Sequence, residues 1–191
     1  MRARTRFPED YRLSKKTRFL LTALLLLSAI FVACKGEEEL AEPEAFSFVV
    51  YPGARYLGQL TETIKQAHKI ITPQQEPPPT AIYDTDAPVE QVAEYYARQY
   101  GFNEIAPNPP AQTTTIPSAF YRTGEIAADV KVIEPIAKQM NLPVDATKAS
   151  GPYKAADISA RPNRPRVTIQ RPYFDVTTSQ VVDRTLILMS R

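Results

Sequence analysis

An apolar run of 15 residues, Phe19 to Ala33, most constrains what this chain can fold into. Only Thr22 and Ser28 interrupt the run, and a segment with seven basic residues precedes it. The run is shorter than the roughly 20 residues that a helix needs to cross the apolar core of a bilayer. A basic segment followed by a short apolar run is typical of an export signal, which the mature protein lacks. The folded domain is therefore expected to come from the residues that follow.

The run ends in Phe31-Val32-Ala33-Cys34, which resembles the lipobox of bacterial lipoproteins. In that family the signal is cleaved between the residues at Ala33 and Cys34, and the thiol at Cys34 receives the lipid. Phe31 departs from the pattern, because leucine is usual at that position. The resemblance implies a protein of the bacterial cell envelope, held to a membrane by acyl chains such as palmitate. Lys35 favours the outer membrane, since an aspartate there favours retention in the inner one.

Cys34 is the only cysteine of the chain. An exported chain with one thiol forms no internal disulfide, and a free thiol is a liability in an oxidising compartment. Acylation would remove that liability, which favours lipidation. The alternative interpretation is an ordinary secretory signal, or an uncleaved anchor, followed by an incidental cysteine.

Charge limits the expected partners. Without residues 1–33 the net charge changes from +2 to −3 over the remaining 158 residues, a length typical of a single domain. A nucleic-acid partner is not expected for an exported chain of this charge. Residues 160–191 carry six arginines and two aspartates. This arginine surplus either lies in solvent or faces an anionic partner, such as lipid headgroups or an acidic protein.

Composition along the chain predicts three regions. Residues 1–33 form the signal, residues 34–45 an acidic flexible tether, and residues 46–191 a single α+β domain. Apolar spacing predicts three helices and β-rich segments predict the strands. The helices are expected over residues 57–71, from the N-cap Asp86 to Gly101, and over about 125–141, with the last kinked or divided at Pro135. The strands are expected at 46–51, 81–83, 119–121, 167–170 and 185–189, the last two separated by a loop at 177–180.

Two segments look like copies of one unit. Residues 81–85 (AIYDT) and 119–123 (AFYRT) are similar, and each is followed by a predicted helix. A duplicated strand-helix unit predicts an antiparallel sheet with two to three helices packed on one face, as in a ferredoxin-like fold. The alternative is that the similarity is accidental.

Three short motifs carry a second resemblance. Residues 51–54 (YPGA), 83–86 (YDTD) and 92–96 (VAEYY) resemble small uncharacterised bacterial envelope lipoproteins with a YPGA turn. The resemblance covers about the middle half of the expected mature chain. It implies a fold and no reaction.

The sequence offers few groups for catalysis. His68 is the only histidine, and no serine or cysteine motif accompanies it, so we expect a surface or half-buried side chain. No cofactor and no metal site are predicted, since zinc requires several histidine or cysteine ligands. Asp84, Asp86 and Glu90 form a candidate carboxylate site. Helix capping is the expected role of Asp84 and Asp86, because an aspartate before a helix satisfies its first amides.

One segment is a candidate recognition patch. Arg171, Tyr173 and Phe174 combine a cation with two aromatic rings, a composition enriched at interface hot spots. The alternative is a strand end packed on the domain, as the intervening proline suggests. The sequence therefore predicts a non-enzymatic module that binds an envelope protein or a cell-wall component. A hydrolase with a carboxylate site and a carrier of a small apolar ligand in a tyrosine-lined cavity remain the alternatives.

Overall fold

The computed structural model describes residues 49–110, 117–160 and 164–191. The predicted signal and tether lie outside the described residues, as do Ala33, Cys34 and the first part of the strand predicted at 46–51. In chain order the elements are β1 (Arg55–Tyr56), α1 (Gly58–Ile71), β2 (Thr80–Thr85), α2 (Val89–Gln99), β3 (Ser118–Glu125), α3 (Ile126–Gln139), a 3-10 turn (Ala146–Lys148), β4 (Pro152–Ser159), β5 (Arg166–Arg171), β6 (Tyr173–Asp175), β7 (Gln180–Val182) and β8 (Thr185–Ser190).

Six strands form one sheet in the order β1-β2-β8-β5-β4-β3, and every neighbouring pair is antiparallel. Strands β6 and β7 form a separate hairpin. Three α-helices pack on the sheet, which confirms the predicted α+β class.

Alternation of side chains along the strands gives the sheet two buried faces. On one face Val92 and Tyr96 of α2 pack against Ala81, Ile187 and Ile158. We call this the α2 face.

The opposite face carries α1, α3 and the hairpin, and we call it the α1–α3 face. Leu60 of α1 packs there with Ile82 of β2, and Ile126 and Val130 of α3 pack with Ala155 of β4. Two helices, α1 and α3, thus share one face of the sheet.

The ferredoxin-like arrangement of a duplicated unit does not form. Each of the two similar segments, 81–85 and 119–123, does form a strand followed by a helix. However, α2 and α3 lie on opposite faces of the sheet, because their apolar stripes contact different sides of the same strands. The two units therefore do not place their helices on one face, as a duplicated unit predicts.

The outer edge of β2 is closed mainly by α1. Strand β1 pairs with only Tyr83 and Asp84 of β2. Beyond it, Leu57 N–H donates to the Ile82 carbonyl at 2.8 Å, and Ile82 N–H donates to Thr61 Oγ1 at 3.0 Å. These bonds satisfy edge groups that would otherwise be open to another strand.

The YPGA motif forms a turn. Ala54 N–H donates to the Tyr51 carbonyl at 3.0 Å, and Gly53 has a φ of +75°, a conformation that favours glycine. The predicted strand that ends at Tyr51 is wrong over its described part, because Val49 to Tyr51 pair with no strand among the described residues.

The helix-capping prediction for Asp86 is wrong. Asp86 does not cap α2: the N-cap residue is Pro88, and the Asp86 side chain binds Arg184 instead. Of the two outcomes expected at Pro135, division of the helix does not occur, since α3 is a single helix over Ile126–Gln139 with Pro135 inside it. Strand β4 is absent from the predictions because its alanines have low strand propensity.

Candidate functional site

The predicted carboxylate site centres on Asp84, which is completely buried on the α1–α3 face. Arg55 donates two hydrogen bonds to its carboxylate, from Nε at 3.1 Å and from Nη2 at 2.8 Å. Arg184 Nε donates at 2.9 Å and the Tyr173 hydroxyl at 3.3 Å. We call these four residues the Asp84 cluster. Its carboxylate has no open side, because arginines from β1 and from the β7–β8 connection close it.

Asp86 and Glu90 do not join Asp84 in a cleft. Asp86 is exposed and accepts a hydrogen bond from Arg184 Nη1. Glu90, on α2, accepts from Lys154 Nζ at 2.5 Å. This bond, together with a hydrogen bond from its own backbone, lowers the pKa of Glu90 in spite of burial. Each of the three carboxylates is thus bound to a cation, and the capping role expected for Asp84 and Asp86 is wrong. Paired carboxylates at a catalytic site need a raised pKa on one of them.

A second buried aspartate lies on the same face of the sheet. Asp157 of β4 accepts from Arg122 Nε at 2.7 Å, from Thr168 Oγ1 at 2.7 Å and from Arg166 Nη2 at 3.2 Å. We call these four residues the Asp157 cluster. Arg122 also donates to the Tyr153 hydroxyl at 2.6 Å. The cluster contains two guanidinium groups for one carboxylate.

The environment favours the charged form of Asp157. Burial by itself would raise the pKa of this carboxyl group, but the hydrogen bonds from Thr168 and Arg122 and the charges of both arginines outweigh burial. The pKa of Asp157 is therefore lowered, and the pKa of Arg122 is raised in spite of burial. The cluster is an ion pair at neutral pH.

The predicted recognition patch is not an exposed surface. Tyr173 is buried and donates to Asp84, and Phe174 packs into the apolar clusters beneath α1 and α3. Arg171 binds Asp183 through Nε at 2.8 Å and the Asp86 carbonyl through Nη1 at 2.9 Å. The prediction is wrong because the hairpin β6–β7 folds back onto the sheet, as the alternative interpretation expected.

The tyrosines pack against each other. The rings of Tyr51, Tyr95, Tyr96 and Tyr100 make successive edge-to-face contacts on the α2 face. Burial raises the pKa of Tyr96 and raises that of Tyr100 to about 12. These rings therefore act as core side chains of the described domain rather than as the lining of an apolar ligand cavity.

A shallow groove of about 420 Å³ lies on the α2 side, between the end of α2 and strand β3. Its apolar wall includes Phe102, Ile105 and Tyr121, and its rim carries Glu94 and Glu104. The groove is open to solvent and brings together no set of catalytic groups.

Metal-ligating groups do not gather within the described ranges. No three histidine, cysteine, aspartate or glutamate side chains are placed there to hold a metal ion. His68 is half-buried, and its ring nitrogen Nδ1 lies 3.0 Å from the Thr72 hydroxyl one turn later. Over the same ranges, no helix has the length and apolarity needed to span a membrane.

Sequence reasoning missed the Asp157 cluster entirely. Its members lie on three strands, and strand β4 was not predicted. The available signal was the arginine surplus of residues 160–191, which includes Arg166. Comparisons of the chain with protein-family models, with curated protein sequences and with solved structures gave no match.

Proposed function

We propose that this protein is a lipid-anchored component of the bacterial cell envelope whose folded domain is a non-catalytic binding module. One observation carries the proposal: the only cysteine, Cys34, directly follows Phe31-Val32-Ala33 at the end of the apolar run. Two or three acyl chains on one cysteine attach a protein stably, since each buried methylene contributes about 0.8 kcal/mol.

The carboxylate geometry supports binding rather than hydrolysis. A hydrolase needs an acid with a raised pKa and a base that converge on one bond. Asp84 is enclosed by two arginines, and Glu90 has a lowered pKa next to Lys154. Asp157, the other buried carboxylate of the described domain, is likewise committed to arginines.

The spacing of the chain supports a tethered domain. Tyr51 is the first residue of the described core, 17 positions after Cys34. A segment of that length spans at most roughly 60 Å when extended. The domain would therefore work close to the membrane surface, within reach of envelope proteins and of cell-wall polymers.

The test is mass spectrometry of the mature N-terminus after membrane fractionation. We expect a diacylated or triacylated Cys34 at the first position and a chain that fractionates with membranes. The variant Cys34→Ala should lose both the added mass and the membrane association. The matched control Ser28→Ala changes a small residue inside the apolar run and should keep both. An unmodified Cys34 with the apolar run still attached would overturn the proposal.

A further inference from the structure

The α1–α3 face of the sheet is covered over only part of its area. Ile82 of β2 and Leu188 of β8 are directly opposite each other and pack under α1. Farther along the same row, Thr168, Asp157 and Phe120 are successive partners on β5, β4 and β3. Phe120 and Thr168 remain partly exposed. The described helices therefore leave one corner of this face open.

The open corner is lined by hydroxyl groups around an arginine. In the next row, Ser118 lies opposite Ser159, and Arg166 lies opposite Ser190. All three serines are partly exposed, and the Arg166 side chain is 60% exposed. We define the open corner by its six side chains: Ser118, Phe120, Ser159, Arg166, Thr168 and Ser190. Three strand spacings make it about 14 Å wide.

Charge separates this corner from the Asp84 cluster. There, Arg55 and Arg184 are matched by two carboxylates, Asp84 and Asp86. In the Asp157 cluster, Arg122 and Arg166 share the single carboxylate of Asp157. Asp129 interacts with the Tyr153 hydroxyl, which also accepts a hydrogen bond from Arg122. Among the described residues, the Arg166 guanidinium makes one hydrogen bond, at 3.2 Å to Asp157, and the side chain is 60% exposed, so donors remain free to meet a ligand.

We propose that the open corner binds an acidic saccharide, with its carboxylate on Arg166. The guanidinium fork matches a carboxylate in two parallel hydrogen bonds, and the ligand supplies the negative charge that the cluster lacks. The hydroxyls of Ser118, Ser159 and Thr168 bond to sugar hydroxyls, and the Phe120 ring packs on the apolar side of a sugar ring. The inference deepens the proposed binding role, and it does not depend on the lipid.

The experiment is calorimetric titration of the full chain, purified in detergent, with a hexamer of galacturonic acid at about 0.15 M salt, where distant charges are screened. We expect saturable binding. The variant Arg166→Gln should weaken it about tenfold or more, and Arg166→Lys should weaken it less, since lysine keeps the charge but loses the fork. The matched control is Arg55→Gln. Arg55 resembles Arg166 because it is 66% exposed and contacts a buried aspartate, but it lies outside the open corner. The Arg55→Gln variant should therefore leave binding of the hexamer unchanged within about twofold.

Several results would overturn the inference. Equal binding of a neutral glucose hexamer would show that the carboxylate is not recognised. Binding of inorganic phosphate or glycerol 3-phosphate without binding of the uronate hexamer would replace the saccharide with a simple anion or a lipid headgroup. A dimer that Arg166→Gln dissociates would make the corner a contact between two copies. Mass spectrometry of Cys34 in the same preparation tests the proposed anchoring separately. An acylated chain that does not bind the hexamer would therefore contradict saccharide binding and leave the lipid anchor supported.

Discussion

Two buried aspartates are each bound by a pair of arginines, but the regions around them differ. Asp84 and Asp157 both lie on the α1–α3 face, and each is held by two arginines. Around Asp84 the hairpin adds Tyr173 and the exposed Asp86 balances the second arginine. Around Asp157 no helix or hairpin of the described chain closes the corner, and one arginine remains turned to solvent. A buried charge therefore serves as a fixed part of the core in one region and supports a charged surface in the other.

The largest expected effect on stability is at the Asp84 cluster. Asp84→Asn leaves Arg55 and Arg184 without their shared charge, next to buried apolar groups, and should lower the free energy of unfolding by about 3 kcal/mol. Chemical denaturation measures this change. The control Asp86→Asn removes an exposed carboxylate, 83% accessible, and should leave the denaturation midpoint nearly unchanged. Equal losses in the two variants would contradict the distinction between a buried and a surface carboxylate.

The second effect tests the packing between β3 and β4 next to the Asp157 cluster. Gly124 lies opposite Tyr153, and a Cβ at this position would overlap the Tyr153 hydroxyl that Arg122 holds. Gly124→Ala should therefore cost about 2 kcal/mol of stability. Adding Tyr153→Phe removes the overlapping oxygen and should recover part of that loss. A double variant as unstable as the sum of the two single changes would argue against this contact.

The third effect is pH-dependent. Because the pKa of Asp157 lies below its ordinary value of 3.8, this group stabilises the fold above that pH, and the contribution is lost as the pH falls through the lowered pKa. Asp157→Asn should cost about 1.5 kcal/mol at pH 7, less than Asp84→Asn, because water screens Arg166. The difference between wild type and variant should shrink below pH 3.8. Denaturation curves from pH 7 to pH 2 measure it, and a constant difference would contradict the assigned ion pair.

The smallest effects compare the two exposed arginines. Arg55 makes two bonds to Asp84, whereas Arg166 makes one long bond to Asp157. Both side chains are mainly in solvent, so Arg55→Gln should cost about 1 kcal/mol and Arg166→Gln about 0.3 kcal/mol. Thermal denaturation of the two variants measures the order. A larger loss for Arg166 would indicate a structural role and weaken the case for a ligand there.

Local patterns predicted the elements whose signals lie in neighbouring residues. The spacing of Leu60 and Ile64 predicts α1, and the YPGA motif predicts the turn at Gly53; both predictions are confirmed. The α+β class also followed from alternating helical and β-rich segments. The sequence did not predict strand β4, because alanine has a low strand propensity. Ala155 and Ala156 adopt strand conformation because they are buried between neighbouring strands.

The candidate sites were harder to predict, since their partners are far apart along the chain. Asp84 was singled out, but its arginines come 29 residues before it and 100 residues after it. Sequence alone therefore favoured helix capping for Asp84, because its true partners are not among its neighbours in the chain. The patch at Tyr173 and Phe174 failed for the same reason, because only the folded hairpin turns these rings inward.

The sequence by itself predicts an export signal and a lipid anchor, from an apolar run and one cysteine. It also predicts the helices, since these depend on short-range periodicity. Tertiary structure alone decided which face each helix covers and which arginine meets which aspartate, because cross-strand register brings distant residues together. It also decided that the hydroxyls of four separate strands share one open corner with Arg166. An antiparallel sheet creates such a surface only after every strand has found its partner, and no local pattern contains that information.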